Sequence, residues 1–537
     1  MIHEMPELPA LDAFLNAALR EGSLAGARLA GDRLCIPTEK GDLVFSVAGR
    51  ALFRNRFRAD VRLAGHQIGI GEALALLARP YGAVFAARVI DSLTAIRRAP
   101  PPESDDPRNW SFQQAESALR AGHPCHPNPR SRDEMDAGDA RRYAPEFGAS
   151  FALVWLAVSP DGVVASPGAA KRLAELAHAD GAPEAAAPDL VRLPIHPWQA
   201  EQEAERIAAA GAQVIGQGKA AWRATASMRT LHAWHAPVML KGSLSLRLTN
   251  SCRVLQPREM QRGSDLAALL AGPVGDSLRV RFPQMHILRE ADHAALADKG
   301  EPISETLISL RDNPFHNPHR PGPVMLASLC EATFGRPSPL VRLIRSGEAR
   351  LWFCRFLRIA VLPLLEIRAS YGLLFGAHQQ NMMIRLHEDG MPVSVWLRDC
   401  QGTGHIDHFH DTLAVHCPTL GAGADNIVSA DLGDRLLTYY LVVNGVMHLL
   451  STLALDGLAD EGDLLRDWRD FLVAARRDCG DDRTLYDKLL EGEELTCKGN
   501  FETSRRSVNE ADGGSDGQLA SFLTLPNPIA FFERTTA

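Results

Sequence analysis

The spacing of apolar and polar positions opens with mixed short elements and predicts helices over residues 10–20 and 71–79. Residues 99–107, with three consecutive prolines, read as an interrupting loop. A helical stretch over 110–121 leads into Gly122-His-Pro-Cys-His-Pro-Asn-Pro129, where a proline every two or three positions forbids helix. The apolar run 151–158 predicts a buried strand, 169–179 a helix, and 181–188 an Ala/Pro-rich surface loop. A strand enters 194–199, and 200–210 has helical composition. From 227 to 254 the pattern is strand-like. Beyond about 325 it predicts helices over 324–334, 346–375 and 432–455, broken by a hairpin over 381–399. Strands alternating with helices, and helices gathered late, predict a mixed α/β or α+β fold.

Two segments carry most of the candidate chemistry. Residues 241–253 alternate strictly, with Lys241, Ser243, Ser245, Arg247, Thr249, Ser251 and Arg253 on one face. One reading is a sheet with a solvated face. Three cations with interleaved hydroxyls and no carboxylate favour instead a strand that binds a polyanion such as a triphosphate or tricarboxylate. Upstream, Ser227-Met-Arg-Thr230 adds hydroxyls and a cation. In the second segment, apolar runs flank an Asp389-Gly390 turn, a hairpin signal. His378, Gln380, Asn381 and Asp399, with Arg398, then gather at its open end. Their oxygens suit Mg²⁺, or form an ordinary polar hairpin mouth.

Composition narrows the setting. A chain of 537 residues predicts two or three domains, and its net charge of -8 argues against nucleic-acid binding. Nine scattered cysteines without a Cys-x-x-Cys pair suit a reducing cytosol rather than a disulfide framework. The N-terminus is acidic and lacks the pattern of a signal peptide. The apolar run 436–455 holds Asn444, Gly445 and His448, and reads as a buried core helix, not a membrane span. A cytoplasmic protein without membrane partners is expected. Zinc binding by His123, Cys125 and His126 is disfavoured, because ligands so close on stiff backbone cannot surround a tetrahedral ion. An anion-facing loop is the better reading, while His196 suits a structural hydrogen bond. Walker A, dinucleotide and nucleophile-elbow motifs are missing.

Taken in order, these pieces resemble the NRPS-independent siderophore synthetases, the aerobactin-synthetase-like IucA/IucC family. The resemblance rests on Gly122-His-Pro-Cys-His-Pro127, His196-Pro-Trp-Gln199, Ser227-Met-Arg-Thr-Leu231 and residues 241–253. It continues through Arg311-Asp-Asn-Pro314, His378-Gln-Gln-Asn381, Arg398-Asp399 with Gly402, and Asn527-Pro528. It implies a cupped hand, commonly dimeric: a thumb over 1–150, fingers over 151–325 with the polar-faced strand, and a palm over 326–537 with the hairpin. It implies a ligase that adenylates citrate, a citrate derivative or 2-oxoglutarate with Mg-ATP and passes the acyl group to an amine or alcohol.

The site residues implied are His123, His126, Ser227, Arg229, Thr230, Lys241, Thr249, Arg253, Gln380 and Asp399 for the nucleotide. Arg253, His378 and Asn381 are implied for the carboxylate substrate, and Asn381 and Asp399 for the metal. Lys241, Arg253 and His378 form the catalytic set, His378 either as a base or as an orienting group. Two positions depart from the family pattern: Gly376, where a glutamate is frequent, and Arg130, where a lysine is common. The competing readings are a kinase-like phosphotransferase, suggested by the Asn381–Asp399 hairpin, and a non-catalytic binder of ferric-citrate-type ligands.

Overall fold

The computed structural model describes residues 5–102, 104–332, 335–509 and 521–530. Residues 1–4 of the acidic N-terminus and 333–334 of the helix expected over 324–334 lie outside them. The chain opens with the helix Leu8–Arg20, started by a proline in its first turn. Five antiparallel strands between Arg28 and Ile68 follow as a meander, then the helices Ile70–Ala78 and Ala83–Arg98. Leu43, Phe45 and Val47 point inward from every second position of the long strand Gly41–Arg50. They join Phe14, Phe57 and Phe85 in one cluster, which Phe501 enters from the far end of the chain.

The middle of the chain builds a seven-stranded sheet. At its centre Val238–Gly242 lies between Thr230–His232 and Ile308–Asp312, and Glu290–Asp298 pairs next to the latter, all antiparallel. Lys241 therefore stands opposite both Thr230 and Ser309. Trp155, Trp198, Trp222, Leu240 and Leu310 form the cluster beneath.

The single strand expected over 241–253 is broken in three. Val238–Gly242 ends in the central sheet, and Leu244–Leu248 folds back on Ser251–Arg253 as a separate ribbon. Thr249, at φ 54, makes the turn without a glycine. The bend divides the polar face. Ser243 is hydrogen-bonded to Ser304 O, Ser245 to Glu203, and Arg247 to the carbonyls of Ser507 and Val508. Only Lys241, Thr249, Ser251 and Arg253 reach the candidate site.

The late region is helix-rich, as expected. Ala349–Phe356, Leu357–Val361 and Leu362–Tyr371 run on as one helix with a π-helical middle. Ala430–Leu437, Thr438–Met447 and His448–Leu455 do the same. This second helix is long and apolar enough to cross a membrane, yet 94% of its apolar window is buried inside the protein. Two expected helices are shorter. Phe112–Ser117 stops early because the amides of Arg120 and Ala121 donate to the buried carboxylate of Glu331 instead of a helical carbonyl. The stretch from 324 holds a two-residue strand and the helix Leu326–Cys330. All nine cysteines are free thiols.

Met382–Leu386 and Pro392–Leu397 form the expected hairpin, with Met382 opposite Leu397 and Gly390 at φ 85 in the turn. Its strands belong to a four-stranded sheet between Val324–Met325 and Met285–Ile287. One face, with Met382, Ile384, Val395 and Leu397, packs into the large helical core. The other carries Met383 and Trp396 into a smaller cluster.

Candidate active site

All twelve residues singled out from the sequence line one cavity of about 300 Å³. They arrive from four directions: the His-Pro loop, the Ser227–Thr230 turn, the edge of the sheet with its bent ribbon, and the open end of the hairpin. Eight basic side chains line it, and among the described residues Asp399 is the one carboxylate. Five of the eight have buried carboxylate partners: Arg130 and Arg132 pair with Glu146, Arg311 and Lys241 with Glu290, and Arg398 with Glu116 at 2.6 Å. The walls remain strongly cationic, as a polyanion requires.

Lys241 is 1% exposed, and its ammonium sits between two carboxylates. It donates to Asp399 and lies 3.4 Å from Glu290 Oε2. Arg311 binds Glu290 from the other side and comes within 3.7 Å of Asp399. Burial would raise the Asp399 carboxyl, but Lys241, Arg311 and Arg229 outweigh it and hold it far below the usual range. Asp399 itself adopts φ 70, which turns its carboxylate back from the strand end toward the cavity. Arg398 is anchored by Glu116 and by Gln380 O at 2.9 Å, so it braces the hairpin mouth.

Around the ribbon, Arg253 donates to Leu248 O and Thr249 Oγ1, both at 3.1 Å. Arg229 reaches Arg253 O at 3.3 Å. Met228 at φ 61 tightens the Ser227 turn, where Ser227 Oγ accepts the Thr230 amide at 3.3 Å. Thr230 Oγ1 is buried without a partner among the described residues. Gly122, at φ 82, starts the His-Pro loop; a Cβ there would lie 3.0 Å from Pro129 O. Arg130 holds Arg120 O at 3.0 Å and also Leu119 O, so the cation at this departure position ties the loop down.

The histidines share a local device. In His123, His126 and His378, Nδ1 accepts the amide two residues on, at 3.1, 3.2 and 3.2 Å. A ring that accepts at Nδ1 carries its proton on Nε2 when neutral. His126 uses that proton on Asn250 Oδ1 at 2.9 Å. Burial pushes His126 and His378 down to about 4; at His378 the neighbouring Asp399 opposes the fall, and Arg398, Arg253 and Lys498 add to it. At neutral pH His378 therefore faces the cavity as an N–H donor, which favours the orienting role over that of a base. His196 has the same Nδ1 bond to the Trp198 amide but lies outside the cavity, as do Asn313 and Asn527. Asn527 instead ties Leu489 O and Gly492 O, both at 2.8 Å.

Several lining residues were not anticipated. Tyr439, Tyr440 and Asn444 come from the π-helical segment, Lys498 ends the strand Glu494–Lys498, and Asn500 opens the helix Asn500–Arg505. Asn444 carried a signal, a lone amide in an apolar helix; the others did not. Glu290, behind Lys241, was missed because it sits in an ordinary strand. Beside Asn381, whose Nδ2 donates to Gly376 O at 2.9 Å, the glycine leaves open space. A Cβ there would meet nothing nearer than 3.8 Å. Asn381 Oδ1 and the Asp399 carboxylate remain as two oxygen donors at the hairpin mouth.

The IucA / IucC family model matches residues 111–331, and a model described as a ferric iron reductase FhuF-like transporter matches 350–515. The chain is 31% identical over 506 residues to N(2)-citryl-N(6)-acetyl-N(6)-hydroxylysine synthase of Vibrio mimicus, covering 88% of this chain and 84% of that protein. It is 32% identical over 452 residues to the rhizobactin siderophore biosynthesis protein RhbC of Rhizobium meliloti (strain 1021), covering 80% and 77%. Its fold superposes on ATP-bound aerobactin synthetase IucA from a hypervirulent Klebsiella pneumoniae pathotype with a TM-score of 0.85 at 27% identity, over 97% of this chain and 99% of the other.

Proposed function

The chain belongs to the IucA/IucC family of siderophore synthetases, and on that premise we propose that it is an ATP-dependent ligase. It adenylates a carboxylate of citrate or a citrate derivative and joins it to an amine or alcohol, releasing pyrophosphate and AMP. The observation that carries this reading is the cavity itself: eight basic side chains face one carboxylate. The Vibrio relative is named for a citryl group on a lysine derivative, and the Klebsiella neighbour is described with ATP bound.

In this reading the nucleotide lies along Ser227, Arg229, Thr230, Lys241, Thr249 and Gln380, with His123 and His126 closing over it. A carboxylate oxygen of the acid attacks the α-phosphorus, and pyrophosphate departs as charge grows on the phosphate oxygens. Lys241 and Arg253, fixed before the substrates arrive, stabilise that charge without reorganising. Arg253, Asn381 and the Nε2–H of His378 hold the acid so that its activated carbon faces the incoming amine. Asn381 Oδ1 and the Asp399 carboxylate fit Mg²⁺, which takes few protein oxygens beside substrate phosphates. Bound there, the ion supplies neutralising charge to the phosphates.

The three-part division at about 150 and 325 belongs to the same proposal; three large clusters of buried side chains support three bodies, the largest of which also takes in side chains from 266–285. So do a homodimeric assembly and a cytoplasmic setting. The test is a pyrophosphate-release screen of citrate and 2-oxoglutarate against diamines, amino acids and hydroxylated amines. Release with AMP as the nucleotide product is expected; ADP in its place would make the protein a phosphotransferase.

A further inference from the structure

The hairpin that carries Asn381 and Asp399 has a second working face. On it Trp396 stands opposite Met383, and Ser394 opposite Arg385, while His286 pairs with Trp396 from the neighbouring parallel strand. These side chains floor a groove of about 550 Å³ that shares no residue with the catalytic cavity. Its volume is that of a small-molecule site.

The groove is aromatic. Phe112 and Phe315 stack at 4.3 Å, Phe315 meets Trp396 at 5.1 Å, and His286 lies over Trp396 at 4.3 Å. Trp234 completes the wall. The loop above is set in place by Asn313, which belongs to the same Arg311-Asp-Asn-Pro314 motif as the cavity residue Arg311 but does not itself line the cavity. Its Nδ2 donates to Ala233 O and Ala236 O at 3.2 and 2.9 Å, and its Oδ1 accepts the Phe315 amide at 3.1 Å. The ring of Phe315 and the backbone beside Trp234 are thereby fixed before any ligand arrives. Trp396 Nε1 is buried without a partner among the described residues.

The groove is also one-sided in charge. Arg320, Arg385, His286 and His316 line it, and no Asp or Glu does. Among the described residues neither arginine has a carboxylate partner; Arg385 donates to Pro321 O at 3.2 Å. Burial lowers the Arg385 guanidinium, and Arg320 lowers it further, so the two cations stand close enough to repel. A carboxylate between them would relieve that repulsion through forked hydrogen bonds, and a flat ring would fill the aromatic floor. A polyhydroxylated acid would have to leave water for apolar walls and is disfavoured.

We infer that this groove is a binding site for a planar aromatic carboxylate, held by Arg320 and Arg385 and stacked against Phe315 and Trp396. The site is separate from the ligase chemistry, and its test does not depend on it. Calorimetric titration of the full chain with 2-naphthoate should show saturable one-site binding. Decahydronaphthalene-2-carboxylate, with the same charge and carbon skeleton but puckered rings, should bind at least tenfold more weakly. Arg320→Gln and Arg385→Gln should each weaken 2-naphthoate at least tenfold, whereas Arg253→Ala and saturating ATP should leave it unchanged. Arg320 lies on an exposed loop, so its variant decides the matter if Arg385→Gln fails to fold. Absence of saturable binding, equal affinity for the two acids, or competition by ATP would overturn the assignment.

Discussion

Lys241 and Asp399, 158 positions apart, form an ion pair that ties the central sheet to the mouth of the hairpin. Lys241 also faces Glu290, so its buried charge compensates two carboxylates. Lys241→Ala leaves Glu290 buried with Arg311 as its remaining partner. It should cost about 3–5 kcal/mol in denaturant unfolding and reduce pyrophosphate release at least ~100-fold. A variant with unchanged stability would remove Lys241 from the centre of this cluster.

Arg253 should behave differently although it comes from the same polar segment. Among the described residues its side chain bonds the Leu248 carbonyl and the Thr249 hydroxyl on the ribbon, at the cavity wall. Arg253→Ala should therefore lose pyrophosphate release as severely as the lysine variant, while unfolding shifts by no more than about 1.5 kcal/mol. Retained activity would refute its place on the substrate anions.

That contrast shows where the sequence was legible. The hairpin could be read because an Asp-Gly turn between two apolar runs sets its register, and the register puts Asn381 and Asp399 side by side. Alternation over 241–253 correctly announced strand, yet alternation survives a bend, and the turn at Thr249 has no glycine or proline to mark it. Ser243, Ser245 and Arg247 thus shared the expected pattern and ended on loops and neighbouring strands. The glutamates that neutralise the site cations, Glu116, Glu146 and Glu290, come from separate elements, as far as 282 positions away for Glu116 and Arg398. Only the closed fold brings them together.

The mouth of the hairpin makes a prediction about divalent cations. Gly376→Ala should fold and work almost normally, since its Cβ meets only Gly402 O at 3.8 Å and Asn381 Nδ2 at 4.0 Å. Gly376→Glu places a third oxygen donor beside Asn381 and should lower the Mg²⁺ concentration for half-maximal pyrophosphate release. Asp399→Asn should raise it. An Mg²⁺ dependence indifferent to both changes would locate the ion elsewhere.

Stability should fall on mild acidification. His126 and His378 are held at about 4 in the fold against 6.5 in the free side chain. Between those values the unfolded chain binds protons that the native one refuses, so stability is full above pH 6.5 and declines as pH drops toward 4. Urea midpoints at pH 7, 5.5 and 4.5 should decrease in that order. His126→Gln, which cannot be protonated, should flatten the trend; an unaltered slope would exclude this histidine as a contributor.

His378→Gln supplies an amide N–H where the imidazole offers its Nε2–H. It should keep a larger share of activity at neutral pH than His378→Ala. Equal loss in both would return the residue to the role of base.

The backbone amides that occupy Nδ1 of His123, His126 and His378 have one more effect. They fix the tautomer while burial keeps each ring neutral near pH 7, so the three imidazoles give the cavity almost no buffering capacity. The proton shed by an attacking amine then has to leave on a substrate oxygen or escape to bulk water. The acid limb of the pH–rate profile accordingly belongs to the nucleophile, and it should move when one amine is exchanged for another of different basicity.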